Sequence, residues 1–321
     1  MTAPKPRAQF DLFIPLMRDL PLKDQRETME RPFFSLQKRK RLKPIEYQSA
    51  DGEVRVKVEA VPAYGMATIW DGDILIWAAS ALNRLRAEGR NDIPRELKTT
   101  AYDLLRSIQR DTGGKGYVEL KAALDRLATT TIFTSIRAKR GRDSRFSWLD
   151  EWSVEVDPVT EKPIALKIVL SNWVYEGIVN EKSVLTMHPD YFQLSGGLER
   201  ALYRIARKHA GDQEQGWTCR VSLLHEKSGS DSAPKEFARM LRKIVENNDL
   251  PEYDLTFTTA GDNSTAVHFI RRSAAERAVI RAELEADAAK RARRTREDLR
   301  VAEIDGRSEP FAGRRTTGAD T

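Results

Sequence analysis

The sequence predicts an α+β fold, and three observations carry that expectation. Apolar residues recur at helical spacing in several separate stretches. Between them, short runs alternate apolar and charged residues with a period of two, as Val54, Val56 and Val58 do with Arg55, Lys57 and Glu59. The order helix, helix, turn, helix, strand pair then occurs twice along the 321 residues.

Met1 to Glu30 is punctuated by proline and reads as an extended arm. Phe33 to Val61 reads as β, with Asp51-Gly52 as the two-residue turn of a tight hairpin. Asp73 to Glu88 is a helix stopped by Gly89. Leu104, Leu105 and Ile108 line a further helix, the polar "RDTGGKG" turns the chain, and Tyr117, Leu120, Leu124 and Leu127 line the next. Thr129 to Phe133 switches the local preference to strand because β-branched and aromatic side chains crowd there. The basic stretch through Arg145 then reads as a hairpin. Phe146 to Val156 and Leu166 to Leu170 are further strands around the Asp157-Pro158 turn.

The second round begins near Ser171. Leu198, Leu202 and Ile205 mark a helix ending before Gly211, and a short helix covers Ser222 to Lys227. After the turn "SGSDSA", a helix over Pro234 to Asn247 opens with proline in its first turn, where no N–H is needed. Tyr253 to Phe257 and Val267 to Phe269 flank "AGDNST" as a hairpin. Each round is the pattern of a winged helix, which lays one helix in the major groove of DNA with a hairpin beside it. The expected organisation is an arm over 1–30, a first winged helix over 31–170, a second over 171–272, and a tail over 273–321. That tail, rich in Ala, Glu and Arg, reads as a solvated helix that gives way to disorder after Gly306.

Composition narrows the function. The chain is 40% hydrophobic and 32% charged, and no apolar run approaches the roughly 20 residues of a membrane helix. Asp11, Pro15 and Asp19 interrupt the first residues, so no signal peptide is expected and the chain is expected to be cytoplasmic. Cys219 stands alone, which leaves no intrachain disulfide and no thiolate cluster for zinc. The net charge of +6 is uneven: 1–155 carries 28 Lys and Arg against 22 Asp and Glu, while 156–272 carries 15 against 16. Lys38, Arg39, Lys40, Arg41 and Lys43 form one basic run, and a second runs from Arg137 to Arg145. Such patches are the electrostatic footprint of nucleic-acid binding.

The candidate DNA-binding residues follow from helix periodicity. Lys235, Arg239, Arg242 and Glu246 recur at i, i+4, i+7 and i+11 on the face opposite Phe237, Leu241 and Ile244. Arginine suits bidentate contact with guanine, and the adjacent Lys243 suits phosphate. In the first unit the helix offers a thinner polar set, Lys121, Asp125 and Arg126, so Arg137, Lys139, Arg140, Arg142 and Arg145 of the basic hairpin are the stronger candidates for backbone contact. Asp71-Gly72-Asp73 is a carboxylate pair of the sort that holds magnesium in a primase or nucleotidyl transferase, but its position before "ILIW" favours helix capping. "GGKG" lacks the leading glycine of a phosphate loop, and the four histidines never fall at metal-ligand spacing. Neither a cofactor nor a catalytic centre is expected. A dedicated transcriptional repressor remains the rival among DNA-binding proteins. Tryptophans at strand periodicity, Trp148, Trp152 and Trp173, read as core.

The passages "FFSLQKRKR" with "IEYQ", "GMATIWDGDILIWAASAL", "GGKGYVELKAALDRLATTTIFTSI", "EWSVEV", "LSNWVYEGI" and "LERALYRIARKHAG" keep one order from Phe33 to Arg272. In these the sequence resembles the plasmid replication initiator protein A family of bacteria, within the wider tandem winged-helix initiators. The resemblance implies binding to repeated double-stranded origin sites (iterons), melting of the adjacent duplex, and recruitment of the host replication initiator and replicative helicase. It also implies repression of the chain's own gene by a homodimer in equilibrium with the monomer. The N-terminal unit would then serve self-association, through strand edges in Glu53 to Val61, Thr130 to Arg137 and Phe146 to Val156, and the C-terminal unit would read DNA.

Overall fold

Two rounds of helix, strand, helix, helix and paired strands build the molecule, joined by a short connecting region. The computed structural model describes residues 14, 21–138, 143–160, 163–179 and 184–273, and, of the C-terminal segment, 276, 279, 282–287, 289–291 and 293. In chain order the first part holds β1 (Leu22–Gln25), α1 (Arg26–Met29), β2 (Ile45–Gln48), β3 (Arg55–Glu59), α2 (Gly72–Ala87), β4 (Glu96–Thr99), α3 (Ala101–Ser107), α4 (Gly114–Thr129), β5 (Thr131–Thr134), β6 (Ser144–Phe146), β7 (Leu149–Val156) and β8 (Pro163–Leu170). The second holds α5 (Asn172–Val179), β9 (Val184–Met187), a 3-10 turn (Pro189–Gln193), α6 (Gly197–His209), β10 (Trp217–Arg220), α7 (Val221–Ser228), α8 (Pro234–Asn247), β11 (Tyr253–Thr259) and β12 (Thr265–Arg271). The mixture of helix and antiparallel sheet is the α+β class that the sequence predicts.

The two rounds share a strand order. β4, the strand before the helix pair α3–α4, pairs with β8, and β8 pairs with β7. Likewise β10, the strand before α7–α8, pairs with β12, and β12 with β11. This corrects the expected place of the first hairpin. The basic segment does form a strand pair, β5 with β6, but it belongs to a separate sheet of order β2-β3-β5-β6. The hairpin equivalent to β11–β12 is β7–β8, whose turn follows Asp157. Local sequence favours a hairpin at both places, and only the long-range pairing to β4 tells them apart.

Three further expectations differ from the structure. The β2–β3 pairing stops at Gln48 opposite Arg55, so Asp51-Gly52 sits inside a six-residue loop closed by Ser49 rather than forming a two-residue turn. Where it is described, the arm is packed against the rest of the chain. Ile14 bonds to Lys98 and Thr99, β1 pairs with β9, and α1 packs on α6. Short strands such as β10 and β9 carry too few alternating positions to stand out in sequence. In the C-terminal segment Leu284 is buried rather than solvated.

One apolar core runs through both rounds. Its aromatic centre stacks Phe34 on Trp148 at 4.6 Å and Phe146 on Trp173 at 4.4 Å, so Trp148 and Trp173 are core, as their periodicity predicts.

Candidate nucleic-acid interface

α8 is the most strongly two-faced helix of the second round. Phe237, Leu241 and Ile244 are buried, and Lys235, Arg239, Arg242, Lys243 and Glu246 are exposed. Pro234 opens the helix and Asn248, in the left-handed conformation, closes it. The outward cations are not equivalent. Arg239 forks onto Glu236, with Nε 2.8 Å from Oε2 and Nη2 2.7 Å from Oε1. That hydrogen-bonded pair raises the arginine's pKa and lowers the carboxylate's. Among the described residues, Lys235, Arg242 and Lys243 carry no ion pair, so they can meet a phosphate or base edge without breaking one.

The turn into α8 is braced from the N-terminal part. Gly229 caps α7, and a Cβ there would lie 2.5 Å from the Cβ of Pro32, so no other residue fits without displacement. Arg41, buried although part of the basic run, donates from Nη1 to the Gly229 carbonyl at 2.6 Å and from Nε to the Lys43 carbonyl. Lys40 donates to the carbonyls of Pro62 and Ala63, and Lys38 lies over the Trp70 ring. The first basic run therefore spends much of its charge on holding the turn and the loop beside it.

In the first round α3 starts at Thr100, whose Oγ1 accepts from the Asp103 N–H at 2.9 Å. The helix α4 buries Leu120, Ala123, Leu124 and Leu127. "GGKG" has a packing reason: a Cβ on Gly116 would stand 2.0 Å from the Asp111 carbonyl oxygen. Lys121 is exposed and Asp125 half-buried, while Lys115 faces Glu119 at 3.8 Å. Arg126 turns sideways and makes a bidentate bond to Asp71, at 2.7 and 2.8 Å. Burial opposes its charge, but the Asp71 carboxylate outweighs that and raises its pKa.

The basic hairpin is divided in the same way. Arg137 lies 4.0 Å from the Trp173 ring, donates to the Trp173 carbonyl at 2.8 Å and pairs with Glu27 at 3.0 Å. Its pKa is lowered by burial, against the pull of Glu27. Arg145 is exposed over Phe133. Lys139, Arg140 and Arg142 lie outside the described residues.

Asp71 and Asp73 do not cap α2 as expected: the Asp71 side chain makes no bond to a helix N–H. Asp71 takes the Arg126 fork and the Thr68 N–H, and Asp73 takes Arg200 at 2.6 Å and Arg110 at 3.2 Å. They sit at one wall of a cleft of about 540 Å³ between the rounds, lined also by Trp70, Phe192 and Leu194. The carboxylates face guanidinium groups because both are buried, and a buried charge needs a partner of opposite charge. Among the described residues, no group of three or more His, Cys, Asp or Glu is placed to hold a metal.

The chain is an α+β protein with two like rounds, each presenting a second helix beside paired strands and carrying exposed cations. The family model described as "Replication initiator protein A" matches residues 23–255, and the chain belongs to that family. It is a replication initiator of that family. It is 32% identical over 239 residues to a protein of Wigglesworthia glossinidia brevipalpis named "Putative replication protein", covering 73% of this chain and 84% of the relative. The fold is similar to crystal structures of domains 2 and 3 of RctB. One gives a TM-score of 0.54 at 12% identity, over 75% of this chain and 95% of the other. A second gives 0.50 at 11% identity, over 77% and 97%. No helix among the described residues is long and apolar enough to cross a membrane.

Proposed function

We propose that this protein starts plasmid replication by binding repeated double-stranded DNA at an origin, with each round acting as a winged helix. The second, 171–272, is the main reader, and the observation that carries the reading is the outward face of α8. Its Lys235, Arg242 and Lys243 have no protein partner among the described residues, and Arg239 is held only by an exposed pair. The first, 31–170, touches the backbone and forms the homodimer. β7 supports that role, because it is the outer strand of its sheet and exposes Val154 and Val156. The segment 273–321 is a tail outside both units. The proposal extends to origin opening, recruitment of the host replication initiator and replicative helicase, and repression of the chain's own promoter by the dimer, all of which the family resemblance implies. The work is cytoplasmic and needs no catalytic centre.

A test separates this from a dedicated repressor. A plasmid carrying only the gene and its upstream repeats should replicate in a suitable host, and a footprint should cover those repeats. Repression of the promoter without replication would favour the repressor.

A further inference from the structure

The second helices of the two rounds, α4 and α8, bury large apolar residues at the same spacing and turn different chemistry outward. On α8 the buried residues Phe237, Leu241 and Ile244 follow the outward Lys235 at i+2, i+6 and i+9, and Arg239, Arg242 and Glu246 stand at i+4, i+7 and i+11. Counting from Val118, α4 buries Leu120, Leu124 and Leu127 at the same three steps, and both Val118 and Lys121 are exposed. Val118 thus occupies the place of Lys235, the first outward cation of α8. Val118 is 70% exposed, the most exposed large apolar side chain on any described helix. A β-branched residue gains nothing for a solvated helix, since it restricts its own rotamers there and is a poorer helix former than Lys or Glu. Tyr102 of α3 and Tyr117 of α4 are also exposed.

We infer that Val118 is a base-reading residue: resting on the origin-binding function above, the first round reads thymine through its 5-methyl group. In the major groove thymine alone of the four bases presents a methyl, and small apolar side chains recognise it by contact. A valine here offers no hydrogen bond to guanine or cytosine, whose polar edges would lose water against it without a partner. Lys121 on the same face and the exposed Arg106 of α3 supply the positive charge that a DNA surface requires. The two rounds then divide the site, with guanine the preference of Arg242 and thymine that of Val118.

The experiment selects duplexes from a random-sequence library with the full chain, then replaces each thymine of the enriched duplex by deoxyuridine, one at a time. Uridine at one position should weaken binding about fourfold, the worth of one buried methyl at ~0.8 kcal/mol. Val118→Ala should weaken binding to the thymine duplex and no longer respond to uridine there, while Val118→Thr, which keeps a methyl, should still respond. Val118 is exposed, so these variants fold. Enrichment with no uridine effect that depends on residue 118 overturns the inference and leaves origin binding standing. A Val118→Ala protein with altered oligomeric state and unchanged DNA affinity overturns it too, in favour of a second copy of the chain. No enrichment of any duplex overturns specific DNA reading as a whole.

Discussion

Arg200 of α6 and Asp73 of α2 meet 2.6 Å apart, nearly fully buried, and their ion pair joins the two rounds of the fold. Arg200 also donates to the carbonyls of Leu194 and Phe192, so its guanidinium is satisfied on every side that the cleft wall offers. One turn further along α6, Arg204 repeats the device with Asp24 of β1 at 2.8 Å, a close ion pair without hydrogen-bond alignment.

Removing one partner of such a pair is costly because the other charge is left in a dry site. Arg200→Ala should lower the stability to denaturant by about 3–5 kcal/mol. Asp73 keeps Arg110, which sets the loss toward the lower end. The double variant Arg200→Met with Asp73→Asn should be milder than Arg200→Ala. A loss below about 1 kcal/mol for Arg200→Ala would mean that the pair does not hold the rounds together.

Acid should loosen the grip of the N-terminal segment on the second round. Glu30 lies among His209 at 3.1 Å, Lys208 at 3.8 Å, Lys227 at 3.9 Å and Arg31. Burial raises its pKa, but these donors and cations outweigh it and take the value from 4.5 down to about 2. His209 is lowered by burial, against its bond to Glu30. In both cases the folded value lies below the unfolded one. The stability is therefore present above the unfolded value and falls as pH drops, from about 6.5 for His209 and from 4.5 to about 2 for Glu30. Glu30 alone is worth up to about 3 kcal/mol across that window. Thermal melts of Glu30→Gln should start lower at neutral pH and lose less on acidification below 4.5 than the native chain.

Arg242→Ala and Arg239→Ala should each cost about 1–3 kcal/mol on origin repeats and little on random duplex. Arg242 acts directly. Arg239 must first leave Glu236, so Glu236→Gln should tighten DNA binding in a gel-shift or anisotropy titration, where Arg239→Ala weakens it. Unchanged origin binding by Arg242→Ala would rule out α8 as the reading helix.

The basic hairpin should divide into structural and DNA-facing arginines. Arg137→Ala, which strips the Trp173 ring and Glu27 of their partner, should lower the melting temperature and leave the salt dependence of DNA binding unchanged. Arg145→Ala, Arg140→Ala and Arg142→Ala should each reduce the slope of log K against log salt by about 0.9 for every phosphate that is no longer neutralised, on origin and random DNA alike. A reduced slope for Arg137→Ala would reverse this assignment.

The helix α8, the proposed reader, is legible because it is built from local rules: proline at its start, apolar residues at i, i+4 and i+7, cations opposite. The helix pair α3–α4 was legible for the same reason. Charge is a poorer guide to which residues are free to meet DNA. Arg41, Arg126 and Arg137 look like DNA-binding residues in sequence, but each is partly or fully withdrawn from solvent and already holds a protein partner. No spacing rule connects Arg126 to Asp71 or Arg137 to Glu27, because those pairs form only when distant segments meet. Val118 is hidden in the sequence for the opposite reason. A single valine at a polar helix position carries no periodic signal, and its exposure becomes known only when the helix's buried face is fixed.

The amino-acid sequence by itself determined the α+β class, the helices of both rounds, the core tryptophans and, through its ordered passages, the replication initiator family. These rest on short-range periodicity, turn chemistry and the order of residues, all of which are local. Tertiary structure alone decided which hairpin stands beside α4, that β1 joins β9, and that Asp71 and Asp73 hold arginines instead of capping a helix. Strand pairing and buried ion pairs depend on which far-apart segments exclude water together, and that is settled by the packing of the whole chain.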